Sequence, residues 1–290
     1  MSKITSLTLL LATAVAMTDV QAEQNIRAFR VDTMPVVDGI VGDKAWAAAK
    51  PIVTRDPVAE VDVNLKVVYD ETHIAFLVRF PDASEDRQHK TMVWDKQQEL
   101  YKTGPKREDA FVFKWSMEPV PVDLTLSSDR PYKADIWYWK AHRTDHAGYA
   151  DDKNQLYISD PLPHTKRLVS AGGNLFYLKR KGDAGKAAYQ AVVYPDYVGD
   201  EASRFEQQKP DGSRADIRAK GVWKDGVWTI EFSRLLDTGQ SDDVILDPKN
   251  TYRFGVSRYE IAGRTPDPRI DQPMFGSGEI GEHINLIFNR

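Results

Sequence analysis

Apolar and polar residues alternate with a period of two along most of this chain, the mark of strands that bury one face. The segments 64–69 (NLKVVY) and 73–80 (HIAFLVRF), separated by Asp70, Glu71 and Thr72, predict a β-hairpin. Residues 219–223 and 227–232 predict a second hairpin, with Lys224, Asp225 and Gly226 as its turn. Further strands are expected at 109–115, 135–140, 188–194, 252–259 and 283–288. Eight or more strands joined by polar turns predict an all-β fold, an antiparallel β-sandwich. Helical signals are scarce. The best covers 42–50, with Asp43 as N-cap and Pro51 as the stop, and a second short helix is expected within 85–101. The polar segments 159–170 and 196–213 read as long loops decorating one end of the sandwich.

The first 22 residues break this pattern. Lys3 precedes a mostly apolar run from Leu9 to Met17, and Val20, Gln21 and Ala22 make a small-residue cleavage pattern. That is a secretory signal peptide, its apolar run too short to span a bilayer. The expectation is a periplasmic protein whose mature part, residues 23–290, is one β-sandwich domain without a membrane span. The chain has 290 residues, 41% hydrophobic and 28% charged, with a net charge of −4. This mild acidity, with its basic residues scattered, leaves no nucleic-acid footprint. Cysteine is absent. Stability must therefore come from the core, and thiolate metal sites, iron–sulfur clusters and covalent c-type haem attachment are excluded.

Enzyme chemistry finds little support. There is no G-x-S-x-G elbow, no H-E-x-x-H pair and no phosphate-binding glycine loop. The adjacent pairs Asp151–Asp152 and Asp242–Asp243 read as solvated turn residues. The informative stretch is ADIWYWKAHRTDHAGYADD, Ala134 to Asp152. On a strand Trp137 and Trp139 share one face, a pair that core packing explains well. Tyr138 and Lys140 share the other face, beside the loop carrying His142 and His146. Aromatic walls, cations for propionates, and Met, His or Lys lone pairs for iron are what a haem pocket needs. Met117, after the strand at 109–115, adds a thioether that packing explains equally well. His142 and His146, spaced by four, lack a third convergent ligand and make a poor zinc site.

Three segments, 107–113 (REDAFVF), 134–141 (ADIWYWKA) with 148–152 (GYADD), and 226–238 (GVWTIEFSRLLDT), resemble motifs of one family. It is the haem-binding domain shared by ethylbenzene-dehydrogenase-type γ subunits and cytochrome c-552-like proteins. The segment 37–46 (VDGIVGDKAW) is similar to the opening of the same domain, and the sandwich to family 9 carbohydrate-binding modules. The resemblance implies a periplasmic, non-covalent haem b protein for electron transfer, partnered by a redox protein or the subunits of a molybdenum oxidoreductase. In the γ subunits Met and Lys hold the iron. This chain departs from that pattern: 124–130 (LTLSSDR) carries no methionine, the usual Trp-His-Trp reads Trp137-Tyr138-Trp139, and the expected lysine region reads Ser233-Arg234. A guanidinium cannot ligate iron. The expected cofactor-binding residues are Met117, Trp137, Tyr138, Trp139, Lys140, His142 and His146. Met117, His142, His146 and Met274 are the candidate iron donors, and Lys140 the propionate partner. The alternative is a carbohydrate- or ligand-binding sandwich that has lost haem, with Trp94, Tyr101 and Tyr149 as platforms.

Overall fold

The computed structural model describes residues 23–56, 60–259 and 280–289. The expected leader and Met274 lie outside the described residues. In chain order the strands are β1 (Glu23–Arg30), β2 (Ile52–Asp56), β3 (Val61–Tyr69), β4 (His73–Pro81), β5 (Met92–Asp95) and β6 (Leu100–Thr103). A meander follows: β7 (Ala110–Ser116), β8 (Tyr132–Lys140), β9 (Asp151–Ile158), β10 (Lys166–Val169) and β11 (Leu175–Gly182). Short strands β12 (Tyr189–Ala191), β13 (Glu201–Ala202) and β14 (Phe205–Gln207) lead to β15 (Arg218–Lys224), β16 (Val227–Leu235), β17 (Thr251–Tyr259) and β18 (His283–Asn289).

One large sheet runs β10-β11-β9-β8-β7-β17-β18-β1-β3-β4-β16-β15, with β2 on β3. It doubles back on itself into two layers around one core. Phe76 of β4 lies 4.8 Å from Phe113 of β7, and Phe113 5.1 Å from Phe232 of β16. Trp139 of β8 meets Trp228 of β16 edge-to-face at 5.0 Å. These cross-layer contacts join strands far apart in the sheet order, so the all-β sandwich expected from the alternation is what forms. Its pairing is not purely antiparallel: β1 runs parallel to both β18 and β3. The first strand thereby links the two layers.

Both expected hairpins form, β3–β4 and β15–β16. Asp225 and Gly226 take positive φ, +53° and +77°, as a tight two-residue turn requires. The 188–194 strand shrinks to β12. Only Ala45–Ala48 is helical near 42–50, and the Asp43 carboxylate accepts the Val36 N–H instead of capping the helix. The helix expected within 85–101 is not formed; that stretch gives β5 and β6, paired Trp94 to Tyr101. The loop expected at 159–170 contains β10, and that at 196–213 contains β13 and β14.

β7 and β8 are covered on both faces, which is why every residue of β7 is buried. Phe111, Phe113, Trp115, Trp137 and Trp139 face the main core. Val112, Tyr132, Ala134, Ile136, Tyr157 and Phe176 form a second apolar cluster on the outer face with Val122 and Leu124 of the β7–β8 connection. Among the described residues no helix is long and apolar enough to cross a membrane.

Candidate functional site

The outer face is apolar at one end and charged at the other. Antiparallel register sets Tyr138 opposite Asp151 and Ile136 opposite Lys153, and on the next strand Lys153 faces Gly182 and Gln155 faces Arg180. Strand alternation therefore gathers Tyr138, Lys140, Asp151, Lys153 and Arg180 on one surface. Segments beyond the sheet complete the cluster. Lys140 Nζ lies 2.5 Å from Asp151 Oδ2 and 3.1 Å from the Tyr189 hydroxyl. Arg214 pairs with the other Asp151 oxygen. Lys140 also sits over the ring of Tyr138 at 4.4 Å.

Burial pushes the Lys140 ammonium down to about 8, against the pull of Asp151. Burial opposes ionisation of Asp151 as well, yet Lys140, Lys153 and Arg214 hold its carboxyl below the usual carboxylate range. Lys153 is lowered by burial and by the neighbouring Lys140. Cations outnumber carboxylates here: Lys140, Arg143, Lys153, Arg180 and Arg214 stand against Asp151 and Glu108. Such a cluster favours an anionic group.

The turn after β8 extends this surface. Glu108, fully buried, accepts the backbone N–H of His142 at 2.8 Å and of Arg143 at 2.9 Å, and pairs with the Arg143 guanidinium. Asp145, equally buried, fixes the rest of the turn. It accepts Trp139 Nε1–H at 2.8 Å, the Gly221 N–H at 2.6 Å and Arg87 at 2.8 Å. His142 is half-buried, and burial, with the Arg143 charge, keeps its imidazole below the ordinary histidine range despite Glu108. Its Nδ1 is buried without a hydrogen-bond partner. His146 points to solvent.

A second imidazole, His89, was not singled out from the sequence. It lies 6.0 Å from the ring of Phe205, as His142 lies 6.5 Å from the same ring. Burial, then the charges of Arg143 and Lys90, depress it strongly, and its Nδ1 also has no hydrogen-bond partner. Nothing local marked it, since 53 residues of chain separate it from His142 and only the fold unites them through Glu108 and Phe205.

The fold separates the residues expected at the site. Trp137 and Trp139 are wholly buried in the main core, Trp137 beneath the Arg234 guanidinium at 4.7 Å. Tyr138, Lys140 and His142 are brought together on the outer face. Met117 is not: its N–H bonds the Lys133 carbonyl, at the opposite end of β8 from Lys140. With roughly 3.3 Å per strand residue, it stands on the order of 20 Å or more from the histidine turn. It lines instead a separate cleft of about 620 Å³ with Val120, Tyr252 and Arg253. One iron cannot take Met117 and His142 together. The solvated-turn reading of Asp151 and Asp152 is also overturned. Both are buried on β9, because alternation turns Asp151 outward under Lys140 and Asp152 inward opposite Trp137.

The family model described as "Ethylbenzene dehydrogenase" matches residues 24–264, spanning both sandwich layers and this site. The chain belongs to the ethylbenzene dehydrogenase family. Within the matched region the 37–46 segment is fastened to β16: Trp46 Nε1–H and the N–H groups of Asp38 and Gly39 all bind the Glu231 carboxylate. Among solved structures, a family 9 carbohydrate-binding module from Caldicellulosiruptor kristjanssonii in complex with glucose is similar at 11% identity and a TM-score of 0.39. That likeness covers 92% of this chain and 97% of that one. The same module in complex with cellotriose gives 10% identity and a TM-score of 0.38, over 93% and 95% of the two chains. No curated protein matches.

Proposed function

We propose that this protein is an exported haem b carrier of the ethylbenzene dehydrogenase family, passing single electrons to or from a redox partner such as a molybdenum oxidoreductase. The observation that carries the reading is the His142 imidazole, held neutral with an unpartnered Nδ1 beside a cation-rich, aromatic strand end. That donor set fits haem. His142 supplies an imidazole nitrogen, while Lys153 and Arg180 are placed to meet carboxylates, and Tyr138, Tyr189 and Phe205 supply ring walls. Lys140 is a weaker donor, because its ammonium is already paired with Asp151. Haem, when bound, provides a one-electron couple; the protein's share is orientation and charge compensation.

Titration of the purified protein with haemin tests this. A Soret band should grow to saturation near one haem per chain. The His142→Ala variant should lose or displace that band, and Met117→Leu should leave it unchanged. No band in the wild type, or equal spectra for wild type and His142→Ala, refutes the assignment.

A second reading rests on Trp94 of the small β13-β5-β6 sheet, which lies 5.0 Å from Tyr101 of the same sheet and 5.2 Å from Tyr197 in the loop before β13. These half-exposed and exposed rings offer a stacking surface for a sugar. Tyr149, the third platform considered, is instead covered by the Arg218 guanidinium at 4.0 Å. Calorimetric titration with a glycan panel discriminates the two readings, heat with a glycan and no Soret band favouring the second.

A further inference from the structure

The inner face of the same strands carries a different kind of cluster. Asp135 of β8, Asp152 of β9 and Asp243 of the β16–β17 connection each offer a carboxylate oxygen, and the three atoms lie within 4.8 Å of one another. All three residues are buried, at 0%, 0% and 5% exposure. Arg234 is the cation beside them, 2.8 Å from Asp135 Oδ2 and 3.9 Å from Asp243 Oδ2.

The distribution of hydrogen bonds shows what Arg234 leaves undone. Asp135 Oδ2 accepts from Arg234 and from the Val244 N–H, while its Oδ1 has no partner. Asp243 Oδ2 accepts from the Thr238 hydroxyl, while its Oδ1 has none. A fourth carboxylate, Asp183 just after β11, behaves alike: Oδ1 accepts from Asn154 at 2.6 Å and Oδ2 is unpartnered. Asp152 is wholly buried and neither of its oxygens finds a donor. Asp135 and Asp243 thus each have one oxygen fixed by the protein and the other without a protein donor, while Asp152 meets only the carboxyl of Asp183 and receives no N–H or hydroxyl. Protein donors that fix one oxygen while the other binds are the usual support of a metal ligand. A buried carboxylate with no donor is otherwise strongly disfavoured.

We propose that Asp135, Asp152 and Asp243, with Asp183 beside them, form a buried calcium site that ties β8, β9 and the β16–β17 connection together. Four carboxylates against one guanidinium leave a net negative charge that a divalent ion largely cancels. The donors are all oxygen, without histidine or thiolate, which suits calcium over zinc. Their mutual distances suit ligands at about 2.3–2.6 Å from one ion. Magnesium, which dehydrates reluctantly, suits a buried all-protein cage less. The site is independent of the haem reading, since it lies on the opposite face of β8 and β9.

The test uses the whole mature protein, stripped with EDTA and returned to chelator-free buffer. Terbium should bind and luminesce when excited through indole, because Trp137 Nε1 lies 3.4 Å from Asp135 Oδ2. Calcium should quench that signal by displacement. Calcium at about 1 mM should raise Tm by about 5–10 °C for a dissociation constant on the order of 10 µM, with magnesium well behind. Asp152→Asn should abolish both responses, while its Tm in EDTA is no lower than that of the wild type, since the amide supplies N–H donors to the neighbouring carboxylates. Absence of sensitised terbium emission from the wild type, together with a calcium shift below about 1 °C, overturns the site even if the variant does not fold. A full calcium shift in folded Asp152→Asn overturns it equally.

Discussion

Gly221 sits on β15 where Trp139 crosses from the opposite layer, and the pair allows the packing account to be tested quantitatively. A Cβ added at Gly221 would lie 2.5 Å from Trp139 Cζ2, 3.1 Å from Cε2 and 3.2 Å from Cη2. The indole has little room to yield, being wholly buried, bonded through Nε1 to Asp145 and packed on Trp228. On a strand with no positive φ, Gly→Ala would by itself stabilise by about 0.4–1 kcal/mol through the unfolded chain. Overpacking costs about 1–3 kcal/mol, so the clash decides the sign and Gly221→Ala should lose about 1–2 kcal/mol net. Trp139→Phe removes the atoms that clash, at the cost of a cavity and of the bond to a charged partner, about 2–4 kcal/mol together. The double variant should therefore be better than additive by about 1–2 kcal/mol. Urea unfolding of the four proteins, followed by fluorescence and circular dichroism, measures this cycle. Strict additivity, or a stabilised Gly221→Ala single variant, would refute the cross-layer contact.

Three further outcomes are expected. Trp137→Ala should cost about 3–5 kcal/mol, because the ring is enclosed by Phe113, Trp115 and Arg234, whereas Tyr138→Ala on the half-buried outer face should cost about 1–2 kcal/mol; equal losses in chemical denaturation would contradict the face assignment. Asp109 is pushed up to about 9 by burial and by the charge of Asp82 while holding Trp228 Nε1–H at 3.0 Å. The fold therefore keeps a proton that the unfolded chain releases above about pH 4, and stability falls as pH rises from about 4 toward 9, by at most about 1.4 kcal/mol per pH unit. Asp109→Asn should match the wild type near pH 4 and exceed it increasingly up to pH 9; a gap that does not grow with pH in thermal melts would count against this. Asp145→Ala, which strips Trp139, Gly221 and Arg87 of one acceptor, should loosen the His142 turn and raise amide exchange from 141 to 148 while β7 stays protected.

Features of this fold are legible in the sequence where their determinants are local. The β3–β4 and β15–β16 hairpins were legible because alternation, length and turn residues agree within some twenty residues. The two faces of β8 were legible for the same reason, so Trp137 and Trp139 separate from Tyr138 and Lys140. The segment 85–101 misled because its polar run resembles a helix surface, while its real determinant is pairing between Trp94 and Tyr101 and with Glu201–Ala202 far downstream. Asp151 and Asp152 looked like a solvated turn because adjacent carboxylates usually are; what buries them is register with Tyr138 and Trp137, which no local window contains. His89 and the Asp183–Asp243 grouping were invisible for that reason too. Met117 follows the strand that precedes the aromatic motif, yet antiparallel pairing sends it to the other end of β8.

The most direct test of the functional claim is the visible spectrum of the protein recovered from the exported fraction of haem-replete cells, before and after reduction by dithionite. The account predicts a Soret band that sharpens and shifts on reduction, removable by acid–butanone extraction because no cysteine tethers the haem. A featureless spectrum in both states, from protein that is folded and still fails to take up added haemin, would contradict it.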